Sequence, residues 1–388
     1  MSDAGRGLSP PGVLFAGMGL AALALPFLTL RANRIVAGDG VMLWDSAPLS
    51  HVLPGLLAMA AGLALGIPAS APLRRFGGSL LGLAGLLWLL ATGAGALLVD
   101  AGDLARVSPA AGFWCLLLTL MLLMADALAQ MKPGPKARAG LLILLLAALA
   151  AVLWSGMLSD LSIAQEYASR RDAFRSATLR HTGLAFGSLA AAAATGFPLG
   201  ILCHRRPGLR GATLPVLSFL QTIPSLAMFG IMIPILGWVG SSFPAAQALG
   251  IAGIGFAPAF LALVLYSLLP VVSNTVAGLD AAPPAATEAA RGMGMTPAQR
   301  LWKVELPLGM PVILAGLRIV LVQNIGLAVI AGLIGGGGYG TFVFQGLNQT
   351  ATDLILLGAV PTVLMALVSA VVMDILVDLT RRTPERPA

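Results

Sequence analysis

About ten runs of roughly twenty apolar residues follow one another along this chain, each close to the length a helix needs to cross a hydrocarbon core. They fall at 13–30, 53–69, 78–99, 110–129 and 141–158 in the first half, and at 182–203, 213–236, 258–279, 308–334 and 354–379 in the second. A bilayer interior offers no water to satisfy backbone amides and carbonyls, so such runs fold as helices. With 58% hydrophobic and only 10% charged residues over 388 positions, the chain is no soluble domain. The fold class expected is an all-α membrane protein of about ten transmembrane helices. The first run follows a lone Arg6; its length, and the absence of a small-residue cleavage pattern around Pro26, favour an uncleaved span over a signal peptide. Pro198, Pro224, Pro234, Pro270, Pro311 and Pro361 fall within the later runs. Helices in lipid tolerate proline where neighbours satisfy the freed backbone groups, which favours a packed bundle. No soluble domain interrupts the runs, so any substrate-binding domain is expected on a separate chain.

A net charge of +7 and a pI near 10.2 would suit a nucleic-acid binder. The basic residues instead sit in short clusters between apolar runs, which makes the lipid bilayer the partner and leaves nucleic acid out. With the N-terminus inside, one side holds fifteen: Arg6; Arg74 and Arg75; Lys132, Lys136 and Arg138; Arg205, Arg206 and Arg210; Arg291, Arg300 and Lys303; Arg381, Arg382 and Arg386. The other side holds seven: Arg31, Arg34, Arg106, Arg170, Arg171, Arg175 and Arg180. The bias predicts that both termini and the segment 287–307 are cytoplasmic. The polar stretch 159–180 is weakly amphipathic and is expected to lie along the membrane surface, linking an N-terminal membrane half, 1–158, to a second half, 181–388. Cys115 and Cys203 lie in apolar runs and read as packing residues. His51, His181 and His204 are scattered, with neither metal-ligand spacing nor a hydrolytic arrangement around them.

The long polar stretch of the second half is 287–307, TEAARGMGMTPAQRLWKVELP. Pro283 and Pro284 suit a first helical turn, with Asp280 as the expected cap and Glu288 near the positive end of the helix. Gly294 is expected to end that helix in a left-handed conformation. Thr296, Pro297 and Gln299 then have the spacing of a capping box that starts a second helix, which Leu306-Pro307 would close. The segment thus predicts two short helices joined at a glycine, presenting Glu288, Arg291, Arg300 and Lys303.

Glu288-Ala289-Ala290, then three residues, Gly294, nine residues, Val304, one residue, and Leu306-Pro307 is a pattern that resembles the EAA loop of binding-protein-dependent ABC importer permeases. From His181 onward the chain is also similar to osmoprotectant permeases of the glycine betaine and choline group. The similar stretches are Phe197-Pro198-Leu199-Gly200-Ile201, Gln221-Thr222-Ile223-Pro224-Ser225-Leu226-Ala227, Leu268-Leu269-Pro270 with Asn274-Thr275 and Gly278, and Ile330–Ile334 running into Gly335–Gly340. The resemblance implies a five-helix type I ABC importer core over 181–388, to which the first five spans are an extension. It implies that Glu288, Ala289, Ala290, Arg291, Gly294, Leu306 and Pro307 engage an ATPase. The implied partners are ABC ATPase subunits, an extracytoplasmic substrate-binding protein, a second permease copy or paralogue, and a small osmoprotectant.

The chain itself is expected to be no enzyme and to hold no cofactor. Its glycine runs are never followed by Gly-Lys-Ser or Gly-Lys-Thr, so ATP hydrolysis belongs to a partner. Gly335–Gly340 reads as a tight turn or a close helix approach. Gln221, Thr222, Asn274, Gln323 and Asn324 are polar groups inside apolar spans. They either line the pathway or bond helix to helix, and the sequence leaves both open. Arg318, inside a span, could gate the pathway or snorkel to the cytoplasmic face, and a structural ion pair with Asp374 or Asp378 is favoured; Asp126 reads as interfacial. Tyr266 and Tyr339 are candidates for contact with a quaternary ammonium, a role more usual for the binding protein. The function expected is the permease subunit of an inner-membrane importer that moves glycine betaine or choline by alternating access. Another small solute such as an amino acid, or a stand-alone secondary transporter, are the alternatives. The last would need intramembrane acids, in which the core spans are poor.

Overall fold

The computed structural model describes residues 7–33, 36–68 and 72–381. Arg6, Arg34, Arg382 and Arg386 lie outside the described residues. Among these, nine helices are long and apolar enough to cross a membrane, and Pro10–Ala22 is a shorter apolar helix. The chain divides into two compact units.

Unit 1 comprises Met1–Ala137, Ile143–Ser169 and Gln349–Asp353. It holds α1 (Pro10–Ala22), β1 (Leu28–Arg31), β2 (Asp39–Val41), α2 (Leu49–Gly66), α3 (Pro72–Val99), β3 (Arg106–Pro109), α4 (Ala111–Met131), most of α5 (Pro135–Trp154) and α6 (Ser162–Ser169). The first apolar run is not one span. Its helix ends at Ala22, and the chain turns through Pro26, which has no N–H to continue it, into β1. β1 is the centre of a three-stranded antiparallel sheet, β2-β1-β3, that the apolar pattern did not announce. Phe27, Leu28 and Val107 of this corner are buried in one core with Leu86, Leu89 and Leu116. α2 and α3 approach so closely that a Cβ on Gly62 would lie 2.8 Å from the Gly82 Cα. Small residues let backbones pack directly, as spanning helices do where water cannot drive them together.

Arg75, read above as a loop charge, has no exposed surface. Its guanidinium bonds the carbonyls of Gly66 and Pro68 at 3.1 Å each, at the end of α2, and pairs with Asp126 of α4. Asp126, near the end of α4, is thus held in an ion pair. The buried carboxylate of Asp353 accepts a 2.6 Å bond from Ser162. Cys115 is exposed on α4, whereas Cys203 of the second unit is buried.

Unit 2 comprises Arg138–Leu142, Arg170–Asn348 and Leu354–Ala388. It begins with α7 (Arg171–Thr182), which runs through a π-helical turn at Gly183–Gly187 into α8 (Ser188–Arg205). The polar residues after 170 are thus the first turns of a 35-residue helix. At about 1.5 Å per residue that helix outreaches a hydrocarbon core of about 30 Å. α9 (Pro207–Thr222) and α10 (Ser225–Ser242) replace the single span expected at 213–236. The break is at Ile223, extended at ψ 125° because Pro224 follows it. α11 (Pro244–Ala248) and α12 (Phe256–Asp280) follow, then the polar loop with α13 (Pro284–Gly292) and α14 (Pro297–Arg300), and α15 (Leu306–Leu327). The run expected at 308–334 ends its α-helix at Leu327 and finishes in a 3-10 turn, Ile330–Ile334. α16 (Gly340–Asn348) and α17 (Thr352–Thr380) complete the unit. α12 packs against α8 and α15. Gly200 lies on Thr275 at the first interface and Gly278 faces Gly309 at the second.

Candidate functional site

The loop after α12 has the helix–glycine–helix form expected, with three differences. α13 starts at Pro284 with no side-chain cap. Asp280 is instead the last residue of α12, and its carboxylate accepts a 2.9 Å bond from Arg210. Glu288 is exposed and is the fifth residue of α13, past the first turn, so the stabilisation expected from the helix dipole does not reach it. Arg291, in the last turn, stands where the dipole favours a cation. Ala290 is buried, while Ala289 is exposed.

Gly294 has φ +77°, the left-handed region, and no atom lies within 4 Å of where its Cβ would stand. The requirement for glycine is thus conformational rather than steric. Thr296 and Gln299 then form a reciprocal capping box. The Gln299 N–H donates to Thr296 Oγ1 at 3.3 Å and the Thr296 N–H to Gln299 Oε1 at 2.8 Å. Leu306-Pro307 does not close this second helix. The chain passes through a π-helical turn, Leu301–Glu305, directly into α15. A π-turn slips the hydrogen-bond register by one residue, which accommodates a proline that lacks an N–H. The loop is therefore continuous with a spanning helix. Met293 and Trp302 stand 70% and 63% exposed on it. Sequence reading passed over both, although an aromatic within a polar helix is a signal for a partner surface.

The five polar residues of the spans are placed as follows. Asn324 is fully buried, and its Nδ2 donates to Ser188 Oγ at 2.9 Å and Ser267 Oγ at 2.8 Å, joining α8, α12 and α15. Gln221 Nε2 donates to the Tyr266 carbonyl at 2.7 Å, and the Tyr266 hydroxyl donates to the carbonyl of Ile223, at the α9–α10 break. Thr222 bonds back to Phe219 at 2.7 Å. Asn274 bonds the Pro270 carbonyl at 2.7 Å and lies against Gly316. Gln323 is half-buried on α15. Arg318 pairs with Asp374, which also receives Arg138; Arg138 reaches Asp378 as well.

The glycine run is a tight turn. Gly335, Gly337 and Gly338 have φ between +75° and +80°. Gly338 rests on buried His181, so close that a Cβ there would lie 3.1 Å from its Nδ1. The Tyr339 hydroxyl donates to Thr178 Oγ1 at 3.1 Å, and its ring stacks obliquely on His181 at 4.7 Å. Burial raises the Tyr339 phenol above its usual range, opposed by the Thr178 hydrogen bond.

Among the described residues, apolar spanning helices carry an exposed helix–glycine–helix loop whose second half runs into a span, the form expected of a transport permease of the ABC importer class. Residues 196–384 match the family described as binding-protein-dependent transport system inner membrane component, and residues 9–164 match the ABC transporter permease YehY N-terminal domain. The osmoprotectant import permease protein OsmW of Salmonella typhimurium is 41% identical over 193 residues, 50% of this chain and 85% of that protein. The glycine betaine/carnitine/choline transport system permease protein OpuCD of Bacillus subtilis is 40% identical over 195 residues, 50% of this chain and 78% of that protein. Among solved structures, the MetNI methionine ABC transporter in inward-facing conformations is similar at 23% identity and a TM-score of 0.47, over 54% of this chain and 96% of that one. The chain belongs to the binding-protein-dependent ABC permeases, in the osmoprotectant importer family, with an extended N-terminal membrane half.

Proposed function

We propose that this chain is the translocating subunit of an importer for a small osmoprotectant, such as glycine betaine or choline. Two copies, or one copy and a paralogue, form the pathway. ATPase subunits hold the loop around Gly294 at the cytoplasmic face of the inner membrane, and an extracytoplasmic binding protein delivers the solute. Closure of the ATPases pulls the loops together, α15 moves with its loop, and the core opens outward; hydrolysis restores the inward state. The observation that carries this reading is the continuity of the second half of the loop, Pro297–Arg300, with α15 through the π-turn at Leu301–Glu305, so that the part of the loop after Gly294 and the span form one helix. Exposed Glu288, Arg291, Met293 and Trp302 offer charge and apolar area to an ATPase groove. The acids of the core spans support ATP drive over coupling to an ion. Asp280, Asp374 and Asp378 stand near helix ends and are paired with basic groups, and Asp353, in the first turn of α17, accepts from Ser162. The division into an extension, 1–158, and a core, 181–388, accompanies this reading, with the pathway assigned to the core.

The test is uptake of labelled glycine betaine, choline and a neutral amino acid into cells lacking their own osmoprotectant importers. The permease is expressed there with its ATPase and binding protein. Uptake of either quaternary amine, lost when the ATPase is inactivated, is the expected result. Uptake that persists without the ATPase contradicts the reading.

A further inference from the structure

His204 and Glu305 belong to a cluster of titratable side chains at the C-terminal end of α8. A cleft of about 260 Å³ is lined by His204, Arg205, Pro297, Arg300 and Glu305. It lies where the end of α8 meets the second half of the loop. His204 Nδ1 is 2.7 Å from Asp280 Oδ1, at the end of α12. Its other nitrogen, Nε2, faces Glu305 Oε2 at 4.0 Å. Glu305, 8% exposed, is in turn bonded by Arg300 Nε at 3.0 Å. Arg205 donates to the Pro297 carbonyl at 3.2 Å, and Arg210 of α9 bonds the second oxygen of Asp280 at 2.9 Å.

The chemistry of the two ring nitrogens assigns their roles. An ionised carboxylate only accepts, so the Asp280 contact fixes the first ring proton on Nδ1. Nε2 is then the atom that gains or loses the second proton, and the group it faces is a carboxylate of the loop. At 4.0 Å the contact is ionic rather than a hydrogen bond. It attracts only when the ring is charged. Histidine is the side chain that changes charge between about pH 5 and pH 8. The charged groups that face it are Asp280 from α12, Glu305 and Arg300 from the loop, Arg205 on its own helix, and Arg210 beside Asp280.

We propose that His204 is a positioning residue that latches the second half of the loop to α8 and α12: charged, it bridges Asp280 and Glu305; neutral, it holds Asp280 alone and loosens the loop, which Arg205 then holds through the Pro297 carbonyl. The proposal rests on the coupling role given to the loop under the proposed function. The latch would make coupling depend on pH, because the loop must part from α8 and α12 if an ATPase is to draw it away.

The test needs neither ATPase nor substrate. In the full chain carrying Cys115→Ser and Cys203→Ser, spin labels are placed at exposed Arg206→Cys and Ala298→Cys, and their distance distribution is measured at about pH 6 and about pH 8, either side of an imidazole titration. The expected result is a narrow distribution at the lower pH that broadens and shifts to longer distance at the higher. His204→Asn keeps a donor where Nδ1 stands and removes the titrating atom. Glu305→Gln keeps shape and removes the charge. Each should show the long, broad distribution at both pH values, in protein that remains monodisperse. A His204→Asn distribution that still tightens at low pH overturns the latch, and so does a parent distribution that ignores pH. A permease that shows this shift yet fails to bind any ATPase would leave the latch standing and remove the coupling role instead.

Discussion

Arg75 sits with no exposed surface between the last carbonyls of α2 and the carboxylate of Asp126. Removing one partner of a buried pair strands the other charge, at a cost of about 3–5 kcal/mol. Asp126→Ala should therefore lower the unfolding temperature in detergent markedly; an unchanged unfolding temperature contradicts the assignment. Arg318 pairs with Asp374, which Arg138 also reaches. The Arg318 partner was legible in the sequence, because charges inside spans are few and one must find another. The Arg75 partner was not. Beside Arg74 it looks like any loop charge, and no local spacing points to an acid 51 positions away. Gly294 was legible for the same local reason that makes it testable. With φ +77° and open space around it, alanine there should cost about 1 kcal/mol of backbone strain. Asparagine, which tolerates the left-handed region, should cost less. Unfolding of the purified chain checks the order; equal losses would mean that the turn relaxes.

Among the elements, those set by a local rule were readable and those set by pairing were not. The capping box at Thr296 and Gln299 follows from four adjacent residues. The break at Ile223-Pro224 follows from one dipeptide, yet the apolar run continues through it, and periodicity alone reads a single span. β1, β2 and β3 are three or four residues long, too short to carry a strand pattern, and their register exists only through partners up to about eighty positions away. Asn324 was legible as a costly polar group and illegible as a bridge between Ser188 and Ser267, because which faces of α8 and α12 meet is a matter of packing. The α9–α10 break offers a direct check. The Tyr266 hydroxyl supplies the donor for the Ile223 carbonyl. Tyr266→Phe should destabilise the purified permease by about 1 kcal/mol, the usual net value of one such bond. An unchanged melting profile would show that another donor serves that carbonyl.

At the scale of the whole molecule, the expectation of a helical bundle with an extended first half came from the length and number of apolar runs. Orientation is a separate expectation, and it rests on the bias of basic residues, fifteen to seven with the first run counted as a span and fourteen to eight without it. In a background without Cys115 and Cys203, an impermeant thiol reagent added outside should miss a cysteine at Gln299 and reach one at Ser242; the reverse pattern would invert the topology. The account stands or falls, however, on the loop as the element through which ATP drives transport. The direct measurement is ATP hydrolysis in proteoliposomes holding the permease, its ATPase and its binding protein, with and without transported solute, for the wild type and for Gly294→Asp. The account predicts hydrolysis that rises with solute in the wild type. In the variant that rise should be absent, with weakened ATPase association, while the chain still inserts and folds. Full stimulation in Gly294→Asp would contradict it.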